Sequence, residues 1–81
     1  MMHLLIISPE KCIFNGDVDL INVPGKKGMF TILPNHAAII STLSKGYVNY
    51  RIATENKKIL INSGIVEVNK NKVTICIEKA K

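Results

Sequence analysis

The chain has 81 residues, which is enough for one domain spanning residues 1–81, with a core that supplies only roughly 3–5 kcal/mol of stability. Its net charge of +5 comes from ten lysines and a single arginine, Arg51, and only four residues are aromatic. Because phosphate and base recognition usually recruits arginine forks and aromatic rings, this composition indicates a solvated basic surface rather than a nucleic-acid platform.

The N-terminal stretch "MMHLLIISPEK" is not typical of a signal peptide, since it has no basic region and its apolar run is short. No apolar run approaches the ~20 residues of a membrane-spanning helix. We therefore expect a protein that is soluble or peripheral to a membrane.

Turn-forming residues recur along the chain at roughly the 8–12-residue spacing of a small sandwich or barrel. The predicted turns are residues 15–16, 24–28, 44–46, 54–58, 62–64 and 69–71. Isoleucine, valine and threonine together make up 23 of the 81 residues, which favours strands over helices. The one possible helix, residues 36–44, is too short and too β-branched to be predicted as one.

Three segments after residue 45 alternate between apolar and polar residues, as half-buried strands do. Their apolar faces hold Val48, Tyr50 and Ile52, then Val66 and Val68, then Val73, Ile75 and Ile77. The sequence therefore predicts an all-β fold, a small antiparallel β-sandwich.

Catalytic residues are not indicated. Asp17 and Asp19 share a predicted strand face, but nothing apolar surrounds them there to shift a pKa for acid–base work. Residues 25–28, "GKKG", resemble a phosphate loop but lack its spacing and its following helix.

The possible metal ligands lack the close spacing of a zinc site, so we expect no metal and no cofactor. They are His3, Cys12, His36 and Cys76. The sequence does not indicate whether Cys12 and Cys76 are neighbours, and we expect two reduced, partly buried thiols.

Two segments carry a specific resemblance. "VPGKKGMFTILPNHAA", residues 23–38, and "SGIVEVNKNKVTIC", residues 63–76, resemble the "VPGxxGxxGILPxHAP" and "GGxxEVxxNxVTVL" patterns of the epsilon chain of F-type ATP synthase. The Pro9-Glu10 step, the turn at residues 14–16 and residues 46–48 also match, so the resemblance covers about residues 3–78. The chain is thus similar to the β-sandwich domain of that family.

The resemblance implies a non-catalytic subunit of the central stalk. Its partners would be the gamma subunit and the membrane rotor ring of c subunits, with the catalytic alpha/beta head reached indirectly and no nucleic acid bound. It implies a place on the cytoplasmic face of a bacterial cell membrane, as a peripheral part of the complex. Lys26, Lys27, Gly28 and Met29 would face the ring, and Ser8 and His36 would face gamma, with the His36 corner lying beside the lysine turn.

The chain also departs from the family pattern. Lys27 and Met29 stand where relatives often have acidic residues, Thr31 replaces a glycine, and Ala38 replaces a proline. The family continues into a C-terminal helical hairpin, and we expect this chain to work without that inhibitory arm. The alternative from another class is a basic, OB-like module that binds single-stranded nucleic acid, for which salt-sensitive binding is the signature.

Overall fold

The computed structural model describes residues 1–80, and this range contains eight β-strands and no helix. The strands are β1 (Met2–Ile7), β2 (Cys12–Val18), β3 (Leu20–Gly25), β4 (Gly28–Ile32), β5 (Ile39–Leu43), β6 (Gly46–Ile52), β7 (Glu55–Asn69) and β8 (Lys72–Lys79). Residues 1–80 accordingly include no helix that is long and apolar enough to cross a membrane.

The strands form one continuous sheet that folds over into two layers. The first layer has the order β2-β1-β8-β7-β5, and the second has the order β7-β6-β3-β4. The 15-residue strand β7 belongs to both layers, because its first half pairs with β6 and its second half with β8 and β5. The all-β sandwich prediction is confirmed, with the exception that β1 and β8 run parallel.

A single hydrophobic core fills the space between the layers. Its buried side chains are Met2, Leu4, Ile6, Val18, Ile21, Val23, Ile32, Leu43, Val48, Tyr50, Ile61, Val66, Val68, Val73, Ile75 and Ile77. The alternation predicted for β6, β7 and β8 is confirmed, since Ile52 is half-buried and the other seven predicted apolar-face residues are buried. The rings of Phe14 and Tyr50 lie 4.7 Å apart and connect β2 to β6 across the layers.

Three of the predicted turns are confirmed as strand connections. Residues 24–28 contain the Lys26-Lys27 turn between β3 and β4, residues 44–46 connect β5 to β6, and residues 69–71 contain the turn between β7 and β8. In this last turn Lys70 and Asn71 both have positive φ, 49° and 61°, which is typical of a two-residue type I′ hairpin.

The other turn predictions were wrong in whole or in part. Residues 15–16 lie inside β2, where pairing with β1 outweighs the local turn preference, and Gly16 lies opposite Leu4. Residues 62–64 lie inside β7 at a register shift, and Gly64 is needed there because an added Cβ would lie 2.8 Å from the Cys76 carbonyl oxygen. Only Ala53 and Thr54 form the next turn, so residues 55–58 are strand.

Candidate docking surfaces

The two aspartates considered for acid–base chemistry have separate partners. Asp17 Oδ1 lies 3.2 Å from His3 Nδ1 in an exposed pair, whereas Asp19 Oδ2 accepts a hydrogen bond of 3.0 Å from the Ala53 N–H. Asp19 thereby fixes the β6–β7 turn, where Ala53 has a φ of 55°. Among residues 1–80 no three acidic, histidine or cysteine side chains form a group able to hold a metal ion.

The four residues expected to face the ring form one exposed hairpin end. Lys26 and Lys27 make the two-residue turn between paired Gly25 and Gly28, and all three of Lys26, Lys27 and Gly28 are exposed. Gly28 has a φ of 126°, a conformation that side chains disfavour. Met29 follows at 53% exposure, so two cationic groups and one flexible apolar side chain lie side by side.

The corner that contains His36 does not lie beside this turn, and that prediction was wrong. Strand β4 leads away from the turn, and the connection after it reaches the opposite end of the first layer, at the β7–β8 hairpin. The His36 N–H donates to the Leu33 carbonyl at 3.1 Å, which closes the corner. His36 Nδ1 lies 2.8 Å from the Ala37 carbonyl oxygen, so Nδ1 carries the proton.

Ser8, the other residue expected to face gamma, lies at the same end of the molecule as Lys26. Its N–H donates to the Lys11 carbonyl at 2.9 Å in the turn that follows β1. Ser8 and Lys26 line the same groove, together with Ile65 and Ile77. Ser8 and His36 therefore lie at opposite ends of the first layer and are not in contact.

An apolar surface between these ends was not predicted from the sequence. Ile7 pairs with Cys76, Cys76 with Ile65, and Ile65 with Thr42, so these four residues form one row across four strands. Their chain neighbours point into the core, so the row lies on the outside of the first layer. Ile40 shares this side with Thr42; these five residues are called the outer face below.

The outer face is open to solvent in spite of its composition. Ile40 is 74% exposed and Ile65 is 49% exposed, and the groove at the Ser8 end has a volume of about 590 Å³. The sequence did indicate this surface, because the apolar residues Ile40 and Ile65 occupy strand positions that the alternation assigns to the solvent-facing side. An exposed apolar surface with polar residues around it is typical of a protein–protein contact.

Both cysteines are free and exposed, so the prediction of partly buried thiols was wrong. Cys12 and Cys76 each pair with Ile7, one from either side. Their Cα atoms are thus two strand spacings apart, about 10 Å, which is beyond the roughly 7 Å limit for a disulfide.

The aromatic residues do not form a base-stacking surface in residues 1–80. Phe14 packs against the buried ring of Tyr50, and Tyr47 has the Lys58 ammonium group 4.6 Å from its ring centroid. Single-stranded nucleic acids are usually bound by open rings along a basic groove, so this geometry does not favour the OB-like alternative.

Over residues 1–80 the fold and these surfaces define a β-sandwich domain without helices and with an exposed apolar face. A family model described as "ATP synthase, Delta/Epsilon chain, beta-sandwich domain" matches residues 1–81. The chain belongs to this family.

Curated relatives named "ATP synthase epsilon chain" agree with this assignment. The protein of Leptospira borgpetersenii is 42% identical over 74 residues, which cover 91% of this chain and 58% of the relative. The protein of Nitratidesulfovibrio vulgaris strain Miyazaki F is 36% identical over 80 residues, covering 99% of this chain and 60% of the relative. The chain thus spans about three fifths of the length of these relatives.

Two solved structures show the same fold. A chain of the Tetrahymena thermophila mitochondrial ATP synthase central stalk and c-ring superimposes with a TM-score of 0.83 at 20% identity, covering 96% of this chain and 63% of that one. A chain of the Euglena gracilis mitochondrial ATP synthase OSCP/F1/c-ring structure gives 0.91 at 19% identity, covering 99% and 52%.

Proposed function

We propose that this domain is a non-catalytic central-stalk element of an F-type ATP synthase, which links the gamma subunit to the membrane rotor ring. In this role it supports the coupling of ion translocation to ATP synthesis. The observation that carries the proposal is the family match over residues 1–81, together with an outer face on which Ile40 and Ile65 are exposed. Its place would be peripheral, on the cytoplasmic face of a bacterial membrane, as a part of the complex.

The outer face is the proposed gamma contact. It is continuous with the groove at Ser8 and approaches the His36 corner at its other end, so both expected gamma residues border one surface. Burial of apolar area is the main favourable term in most protein association, and Ile40 and Ile65 offer the most exposed area on this surface. The polar residues at its ends would set the orientation of the partner.

The Lys26–Met29 turn is the proposed ring contact. Two adjacent ammonium groups favour partner loops that are acidic or neutral, because like charges across an interface are costly. Since both lysines are exposed, each pair they form would contribute only about 0–1 kcal/mol. The turn therefore orients the domain on the ring more than it anchors it.

The test is binding of the purified domain to gamma and to ring–stalk complexes from the same organism. We expect saturable one-to-one binding to isolated gamma, and retention on ring–stalk complexes that lack the native subunit. Single-stranded DNA and RNA, measured at low and moderate salt, serve as the comparison for the alternative function. Absence of gamma binding, together with salt-sensitive nucleic-acid binding, would replace this proposal by the alternative.

A further inference from the structure

The two segments that carry the family resemblance meet in space through a pair of asparagines. Asn35 lies in the corner before His36, and Asn71 lies in the β7–β8 hairpin, 36 residues later. The Asn35 N–H donates to Asn71 Oδ1 at 2.6 Å, and Asn71 Nδ2 donates to Asn35 Oδ1 at 3.1 Å. Each residue thus both donates and accepts, which fixes the orientation of the two segments.

Both asparagines have left-handed backbone conformations. Asn35 has a φ of 68° and Asn71 a φ of 61°, and asparagine is among the few residues with a side chain that tolerate this region. The Asn71 carbonyl also accepts a hydrogen bond of 2.9 Å from the His3 N–H at the start of β1. Asn71 therefore connects three segments that are distant in sequence.

This arrangement determines how His36 is presented. Asn35 is held by Asn71, and the next residue, His36, is held by the Leu33 carbonyl through its backbone and by the Ala37 carbonyl through Nδ1. Because Nδ1 is engaged with the Ala37 carbonyl oxygen, Nε2 is the ring nitrogen that stays open to a partner. No residue in the range 1–80 is hydrogen-bonded to that nitrogen.

We propose that the Asn35–Asn71 pair is the positioning element of the His36 corner, and that His36 Nε2 forms a hydrogen bond with a polar side chain of gamma. This inference rests on the proposed function, in which His36 borders the gamma contact. Asn71 acts through the corner and does not itself contact the partner.

The test uses three hairpin variants. Asn71→Gly keeps the positive φ but removes both side-chain bonds, whereas Asn71→Asp keeps the acceptor for the Asn35 N–H. Lys70→Gly is the matched control, because Lys70 is the other positive-φ residue of the same turn and is not bonded to the corner. We expect Asn71→Gly to weaken gamma binding about tenfold, or about 1.4 kcal/mol. Asn71→Asp loses only the bond to Asn35 Oδ1 and should cause a smaller loss, whereas Lys70→Gly should stay close to wild type.

A double-mutant cycle that combines Asn71→Gly with His36→Ala separates a positioning role of Asn71 from a general loss of stability. If Asn71 acts through His36, the loss caused by His36→Ala should largely disappear in the Asn71→Gly background. Fully additive losses in this cycle, or equal losses in Asn71→Gly and Lys70→Gly, would overturn the inference.

Amide hydrogen exchange of Asn35 reports on the pair without any partner. Asn71→Gly should accelerate this exchange about tenfold or more, since the protecting acceptor is lost, and Lys70→Gly should not. Unchanged exchange would show that the pair does not hold the corner. If the wild type fails to bind gamma while exchange responds as expected, the proposed function and the role of Nε2 are refuted, and only the clamp between the two segments stands.

Discussion

The outer face provides the sharpest test of the gamma contact, through the double change Ile40→Thr with Ile65→Thr. Threonine keeps the β-branched shape that strands favour but replaces apolar surface with a hydroxyl. Fully burying an isoleucine contributes about 1.5–3 kcal/mol. Ile40 is 74% exposed and Ile65 is 49% exposed. A partner that covers both side chains would therefore gain most of this burial free energy at Ile40 and about half of it at Ile65.

Together the two changes should weaken gamma binding by about 2–3 kcal/mol, which is about 30- to 140-fold in Kd. The free energy of unfolding of the isolated domain should change by less than about 1 kcal/mol, since neither side chain belongs to the buried core. Calorimetric titration with gamma measures the first quantity, and urea unfolding measures the second.

Tyr47→Thr is the matched control. Tyr47 is 44% exposed, a fraction similar to that of Ile65, but it lies on β6 in the second layer. Its replacement should change gamma binding by less than about twofold. An unchanged Kd for the isoleucine double variant, or an equal loss in the Tyr47 variant, would refute the assignment of the outer face.

Three further outcomes are expected. Lys26→Glu combined with Lys27→Glu should reduce retention on ring–stalk complexes, most strongly at low salt where screening is least, and full retention across a salt series would contradict the ring contact. Lys27→Glu alone should leave binding to isolated gamma unchanged, because Lys27 does not line the Ser8 groove. Gamma at 100 times its Kd should stabilise the domain by about 2.7 kcal/mol, which raises Tm by roughly 10–20 °C in calorimetry, and an unchanged midpoint would argue against docking. Oxidation should form no disulfide between Cys12 and Cys76. A monomer that is lighter by two hydrogens in mass spectrometry would show such a disulfide and would contradict the strand register that separates the two residues.

The strands with strict alternation were predictable because one physical pattern decides them. In β8 the apolar residues Val73 and Ile75 occupy every second position, and burying that face outweighs any other preference of the segment. Segments decided by distant pairing were not predictable in this way. Asn15 and Gly16 have turn propensity, but β1 supplies Leu5 and Leu4 as strand partners, and local composition does not indicate this.

The candidate site was predicted only in part, for a related reason. The Lys26–Met29 turn is local, so the glycines that flank its lysines were enough to predict it. The relative positions of Ser8 and His36 depend on the direction in which β1 runs beside β8. Because the two strands are parallel, the end of β1 that precedes Ser8 lies far from the β7–β8 hairpin, where the His36 corner is held. The outer face depends on the register of four strands, so its apolar row is not visible in any single segment.

Lys26 connects the two proposed contacts. It belongs to the turn proposed to meet the ring, and it also lines the groove that continues into the outer face. Strand β3, which ends at this turn, pairs with β4, β5 and β6, so the turn is hydrogen-bonded into both layers of the sandwich. On the proposed function, a force applied at the ring contact reaches the gamma contact through paired strands with no flexible linker between them. A rigid connection of this kind transmits torque without loss to a hinge, which is the mechanical property that a stalk-to-ring link requires.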